Sequence, residues 1–138
     1  WIQFKKWPYE EGVFHVEIAA SYDGYAAFQD FYINASEIAS LAMRLRSFPS
    51  DVKDEIILAI GERGGEWAHA VNLRFWVYDS VGHCAITFDV SNNASEPYTR
   101  NARFTIRCEA ASLNQLGKDV ATWIETDEES VVTELTTV

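Results

Sequence analysis

Asp79, Ser80 and His83 fall within the five residues Asp79-Ser80-Val81-Gly82-His83 and are the residue types of a hydrolytic triad. A triad requires its nucleophile, base and orienting acid within hydrogen-bond reach in one particular geometry. Three side chains from one short turn are expected to diverge, and no nucleophile-elbow pattern surrounds Ser80. Asp79 is expected instead to bond the turn backbone, with Gly82 supplying a positive φ. His83 beside Cys84 fails for a related reason, because neighbours on a strand face opposite sides of a sheet. His15 and Glu17 share a strand face, as do Trp67 and His69, but spacing of two does not define a metal site. The chain lacks His-Glu-x-x-His, paired Cys-x-x-Cys, an EF-hand loop, a phosphate-binding Gly-Lys-Ser/Thr loop and a dinucleotide fingerprint. No catalytic residue, metal or cofactor is therefore expected. A hydrolase using Asp79, Ser80 and His83 is the lesser alternative.

The cluster sits at the tip of a β-hairpin expected over Leu73 to Val90. Leu73, Phe75 and Val77 alternate with Arg74, Trp76 and Tyr78, and Cys84, Ile86, Phe88 and Val90 alternate with Ala85, Thr87 and Asp89. A period of two marks strands with one face in a core. Arg74, Trp76 and Tyr78 occupy the other face. If helices cover one side of the sheet only, that face exposes the types enriched at interface hot spots. If both sides are covered, the same residues are core. The expected partner-binding residues are Arg74, Trp76 and Tyr78, with Glu17 and Asp89 as nearby acids.

Phe14, Val16, Ile18 and Ala20 predict an earlier strand, and Asp23-Gly24 a tight turn into a partner strand over Tyr25 to Ile33. Trp1 to Tyr9 predicts a further strand, up to Pro8. A helix follows, with Asn34 and Glu37 as an approximate capping box and Ile38, Leu41, Ala42 and Leu45 on one face. Ser47-Phe48-Pro49 ends it. Gly61 to Gly65 reads as a hairpin loop, then Trp67 to Tyr78 as a long strand. Asn101 to Cys108 predicts the last strand. Ser112 and Gln115 suggest a second capping box, opening a helix with Leu113, Leu116, Val120, Trp123 and Ile124 on one face. Gly117 costs that helix about 1 kcal/mol relative to alanine, which points to close packing against the sheet.

The expected fold class is α+β: an antiparallel sheet with two α-helices packed on it, in the order strands, helix, strands, helix. Residues 1–125 form one expected domain and 126–138 an acidic C-terminal tail, flexible or docking an edge strand over Val131 to Leu135. At 138 residues, 48% hydrophobic and 14% aromatic, the chain can bury a continuous core. The net charge of −10 disfavours nucleic acid and anionic membrane surfaces and favours basic proteins. No apolar run is long enough to span a bilayer, and no signal peptide follows Lys5 and Lys6. Cys84 and Cys108 are both in the inward phase, so buried free thiols in a reducing compartment are expected. Asn34-Ala35-Ser36 and Asn93-Ala94-Ser95 match the glycosylation sequon, a short pattern common by chance.

Two segments, Tyr78-Asp79-Ser80-Val81-Gly82-His83-Cys84-Ala85 and Ala110-Ala111-Ser112-Leu113-Asn114-Gln115-Leu116-Gly117 leading to Trp123, join with Phe14-His15-Val16-Glu17-Ile18 in a recognisable set. Together they resemble a group of small bacterial proteins whose plan is similar to the immunity proteins of polymorphic toxin systems, including the WapI-type immunity family. The resemblance spans roughly residues 13 to 124. Its motifs are structural, so it carries over no catalytic residue. It implies a non-catalytic cytoplasmic protein that binds a cognate toxin or other basic protein; the sequence leaves the oligomeric state open, a homodimer included. A small-ligand-binding domain is the alternative from another class, favoured by an enclosed apolar pocket with convergent polar groups.

Overall fold

The structure, a computed structural model, describes residues 1–137. Its elements are β1 (Ile2–Glu10), β2 (Val13–Tyr22), β3 (Tyr25–Asn34), α1 (Ala35–Arg46), β4 (Glu55–Ile60), β5 (Ala70–Val77), β6 (Cys84–Ser91), β7 (Asn101–Cys108), α2 (Ala110–Ile124) and β8 (Ser130–Thr133). The class is α+β, in the order strands, helix, strands, helix. The strands do not form one sheet, however. They divide into two antiparallel four-stranded sheets, ordered β3-β2-β1-β8 and β4-β5-β6-β7.

Each half of the chain is an antiparallel meander followed by a helix, and short links keep sequential strands adjacent. Asp23 and Gly24, with φ of 51° and 82°, make the two-residue turn that pairs Tyr22 with Tyr25. From there the register is forced: Glu17 lies opposite Asp30 and His15 opposite Tyr32. The inward phases of both sheets join the buried stripes of both helices in a single core, with Phe4, Phe31, Phe75 and Phe88 its largest fully buried side chains. Removing each such side chain from water contributes about 1.5–3 kcal/mol. One face of each sheet is left pointing outward.

Several local features depart from the sequence expectation. Asn34 precedes α1 without a side-chain bond to the helix backbone; its amide donates to Glu37 Oε1 at 3.2 Å. α2 begins at Ala110, ahead of the expected capping box, and the Ser112 hydroxyl accepts from the Thr136 amide at 2.8 Å. Gly117 faces α1 rather than a sheet: a β-carbon there would lie 2.7 Å from the Ala42 carbonyl oxygen and 2.8 Å from the Arg46 nitrogen. Beside that crossing, Asn114 donates to the Leu45 and Phe48 carbonyls at 2.9 and 2.7 Å, satisfying the end of α1. The long strand expected from Trp67 begins only at Ala70.

The acidic C-terminal segment contributes β8, which pairs with β1 through Ile2 to Lys5. Lys6 secures it. Its ammonium donates to the Trp123 carbonyl and, at 3.0 Å, to the Glu128 carbonyl, and stands 4.5 Å from the Trp123 ring centroid. Burial holds this amine below the ordinary lysine range, against the opposing pull of Asp127 and Glu128.

Candidate functional site

The hairpin tip brings two of its three chemical residues together. His83 Nδ1 lies 2.6 Å from Asp79 Oδ2, while Asp79 Oδ1 accepts the Val81 and His83 backbone N–H groups at 3.1 and 3.0 Å. The expected divergence is thus corrected for Asp79 and His83. Desolvation pushes the Asp79 carboxyl upward, but the bonds from His83 and Val81 together outweigh it and hold the group below its ordinary value. Among the described residues no hydrogen bond joins Ser80 to this pair. Burial, with Glu109 and Asp79 adding, raises the neighbouring Cys84 thiol to about 11, so it stays protonated at neutral pH. Cys108, its partner directly across the ladder, is raised to about 12 by burial first and Cys84 second. An oriented imidazole without an engaged nucleophile does not constitute the triad chemistry.

The expected partner-binding residues separate. Arg74, Trp76 and Asp89 share the outward face of the second sheet, Tyr78 follows β5 at the hairpin tip, and Glu17 stands on the outward face of the first sheet. On the second sheet the groups are already engaged. Trp76 Nε1 donates to Thr87 Oγ1 at 3.1 Å. The Arg74 guanidinium lies 4.4 Å from the Trp76 ring centroid, and its Nε donates to Glu55 Oε2 at 2.5 Å. Asp89 is paired with Arg63. Tyr78 stacks on His83 with centroids 6.0 Å apart.

The outward face of the first sheet carries a cluster that the sequence reading missed. Trp7 and Tyr9 of β1, His15 of β2 and Tyr32 of β3 form one ring array, with centroid separations of 5.3 Å for Trp7–His15 and 4.6 Å for both His15–Tyr32 and Tyr9–Tyr32. Strand alternation puts these rings outward because Phe4, Val16, Phe31 and Ile33 point in. They remain 36% (Trp7), 61% (Tyr9) and 41% (Tyr32) exposed. Within the described residues the Trp7 indole N–H and the Tyr9 and Tyr32 hydroxyls have no hydrogen-bond partner in the chain, unlike the Trp76 indole. His15 Nε2 is held 2.8 Å from Asp30 Oδ2, and Glu17 lies one register step along, between Lys5 and Asp30.

Next to Tyr32, at one end of this array, lies His69, just before β5. It is 7% exposed, 6.3 Å from the Tyr32 ring and 6.5 Å from Phe31, and its Nε2 is buried without a partner. Burial lowers its pKa below the ordinary 6.5, with His15 adding to that effect and Asp30 opposing it.

A separate open cleft of about 860 Å³ lies under the loop between β4 and β5, bounded among others by Arg63, Trp67, Asn72 and Asp89. The loop is pinned by Asn93, whose amide donates to the Glu62 and Trp67 carbonyls at 2.9 Å and whose oxygen accepts the Gly64 amide at 3.1 Å. Gly61 is required there: at φ 69° a β-carbon would meet the His69 carbonyl oxygen at 2.3 Å. Among the described residues no group of three His, Cys, Asp or Glu side chains is placed to hold a metal ion, and no helix is long and apolar enough to cross a membrane.

No protein-family model matches the sequence, and comparison with curated proteins finds no match. Among solved structures, the chain is similar to that of the plant transcriptional regulator PBF-2, with a TM-score of 0.47 and 14% identity, over 89% of this chain and 74% of that one. A likeness at that level fixes neither family nor function.

Proposed function

We propose that this chain is a non-catalytic protein-binding domain whose recognition surface is the outward face of the first sheet, centred on Trp7, Tyr9, His15 and Tyr32. The carrying observation is the exposed ring array with its unpartnered indole and phenol groups. Such rings combine large apolar area with hydrogen-bonding capacity and few rotamers to freeze, which is why they concentrate in binding hot spots. Glu17 and Asp30 flank the array, and the chain carries −10 overall, so a basic partner is the complementary one. Lysine and arginine side chains of such a partner gain cation–π contacts on these rings and ion pairs beside them.

The resemblance in plan to immunity proteins makes the partner most concretely a cognate toxin, bound and occluded in the bacterial cytoplasm. The test is co-expression with the product of the adjacent gene, scored by growth rescue and by titration calorimetry of the purified pair. Rescue by the parent chain, and its loss when Trp7 and Tyr32 are both replaced by alanine in a folded protein, supports the proposal. Absence of any complex, or full rescue by that double variant, removes it.

A second reading, small-ligand binding, is favoured by the cleft where Arg63, Asn72 and Asp89 converge beside Trp67. A small molecule seated there changes Trp67 fluorescence and leaves Trp7 and Tyr32 variants unaffected.

A further inference from the structure

We propose that the cleft between β3 and β7 accepts an extended peptide segment of a partner protein as an added strand on the β3 edge. β3 and β7 are the terminal strands of their respective sheets. They touch where Tyr25 stacks on Phe104 at 6.0 Å, and beside that contact they line a cleft of about 450 Å³ whose walls include Ala26, Ala27, Val90 and Ala102. Alanine at three of these positions leaves room that larger strand residues would have filled.

The hydrogen-bond phase of both edges faces this space. The two-residue turn makes Tyr22–Tyr25 a bonded pair, so Ala27, Gln29 and Phe31 bond β2 while Ala26, Phe28 and Asp30 turn their N–H and C=O groups to the free edge. On β7 the bond from the Asn92 amide to the Arg100 carbonyl sets the phase, leaving Asn101 and Arg103 facing away from β6. The Asp30 carbonyl is taken by the Gln29 side chain at 3.1 Å; the edge groups of Ala26 and Phe28 have no partner among the described residues.

Sheet proteins protect their edges with proline, charge, shortness or cover. β8 is four residues long, β7 carries Arg103 and Arg107, and on β4 the Glu55 carbonyl is covered by Arg44 of α1 at 3.3 Å. β3 has ten residues, no proline, no lysine, and Asp30 as its sole charge. The open stretch of this edge at Ala26 and Phe28, beside a cleft whose lining mixes alanines with Gln29, Asp30, Thr99 and Arg100, is an arrangement suited to β-augmentation, where main-chain bonds give affinity and alternate pockets select side chains. The occupant is therefore an extended segment with a medium apolar residue directed at Ala27 and Ala102, and a carboxylate within reach of Arg100. That arginine lines the cleft and belongs to none of the ion pairs among the described residues. This site goes beyond the aromatic face and does not depend on a basic partner docking there.

The test uses the full chain and a terminally blocked heptapeptide alternating threonine and valine, with glutamate at each end, followed by amide hydrogen exchange and titration. Exchange at Ala26 and Phe28 slows by about tenfold or more on saturation. Phe28→Pro removes an edge donor but no bond to β2, so it folds and weakens peptide binding by about tenfold or more. Phe28→Ala keeps the donor and binds the peptide about tenfold or more tighter than Phe28→Pro does. Absence of slowing at saturation solubility, undiminished binding by a folded Phe28→Pro variant, or equal binding of a peptide N-methylated at alternate residues overturns the proposal. Should Phe28→Pro lose its fold, the N-methylated peptide decides alone. Protection of Ala26 and Phe28 that rises with protein concentration, without peptide, assigns the edge to a second copy and also overturns it.

Discussion

Trp76 and Trp7 both stand on outward sheet faces, one on each sheet, and each rests against a polar or cationic neighbour. Around Trp76 every interaction closes on the chain itself: indole to Thr87, guanidinium to ring, Arg74 to Glu55. Around Trp7 the rings support one another; His15 is held by Asp30, while the polar ends of Trp7, Tyr9 and Tyr32 remain open to solvent. Residue types alone therefore do not identify an interface. A partner that takes the bonded groups of the Arg74-Trp76-Glu55 set breaks internal bonds to do so, whereas the unpartnered polar groups of Trp7, Tyr9 and Tyr32 exchange only water.

The strongest way to break this comparison is partner binding. Replacing Trp7 and Tyr32 together by alanine is expected to weaken the complex by about 1,000-fold, two hot-spot truncations of roughly 2 kcal/mol each, while thermal melting shifts by only a few degrees. Calorimetric titration reads this directly, and loss of binding in Trp76→Ala with Tyr78→Ala instead would reverse the roles of the two faces. Trp76→Ala is expected to act on folding: it deletes a partly buried ring and the indole donor to Thr87, leaving that hydroxyl only its 3.5 Å contact with Thr105, costing about 2 kcal/mol in urea unfolding with partner affinity unchanged.

A subtler separation comes from pH. His69, next to Tyr32, is held below its ordinary 6.5 by burial, so the unfolded chain binds the extra proton first as acid is added. Stability contributed by the neutral ring is complete above about 6.5 and falls as pH drops below it. Denaturation of the parent and of His69→Phe at pH values on either side should show a steeper slope in the parent than in the variant. Arg74→Ala is the smallest effect expected, under about 1 kcal/mol, because its ion pair with Glu55 is roughly 40% exposed on both sides. A cost well above that in urea unfolding would mean the second face is a structural keystone rather than a self-satisfied surface.

Much of this was legible in the chain. The Asp23-Gly24 turn fixes the β2–β3 register, so Glu17 opposite Asp30 and His15 opposite Tyr32 follow from counting outward. The outward phase of Tyr32 could have been found from its alternation with Phe31 and Ile33. Trp7 was harder, because Pro8 weakens the strand signal of β1 and an irregularity follows it before the turn at Glu11-Gly12. Gly117 signalled close packing, yet the sequence could not say that its neighbour would be α1.

What the sequence determined by itself was local: the phase of each strand, the turns, the apolar stripes of the helices and the inward placement of both cysteines, because periodicity and φ preferences act within a few residues. What only the tertiary structure decided was partnership. Nothing local distinguishes one eight-stranded sheet from two four-stranded sheets, since a free strand edge offers the same hydrogen bonds to any neighbour. The choice rests on how both helices and both inward faces fill one core. That closure alone set Glu17 apart from Arg74, brought His69 next to Tyr32, and left the β3 edge beside an open cleft.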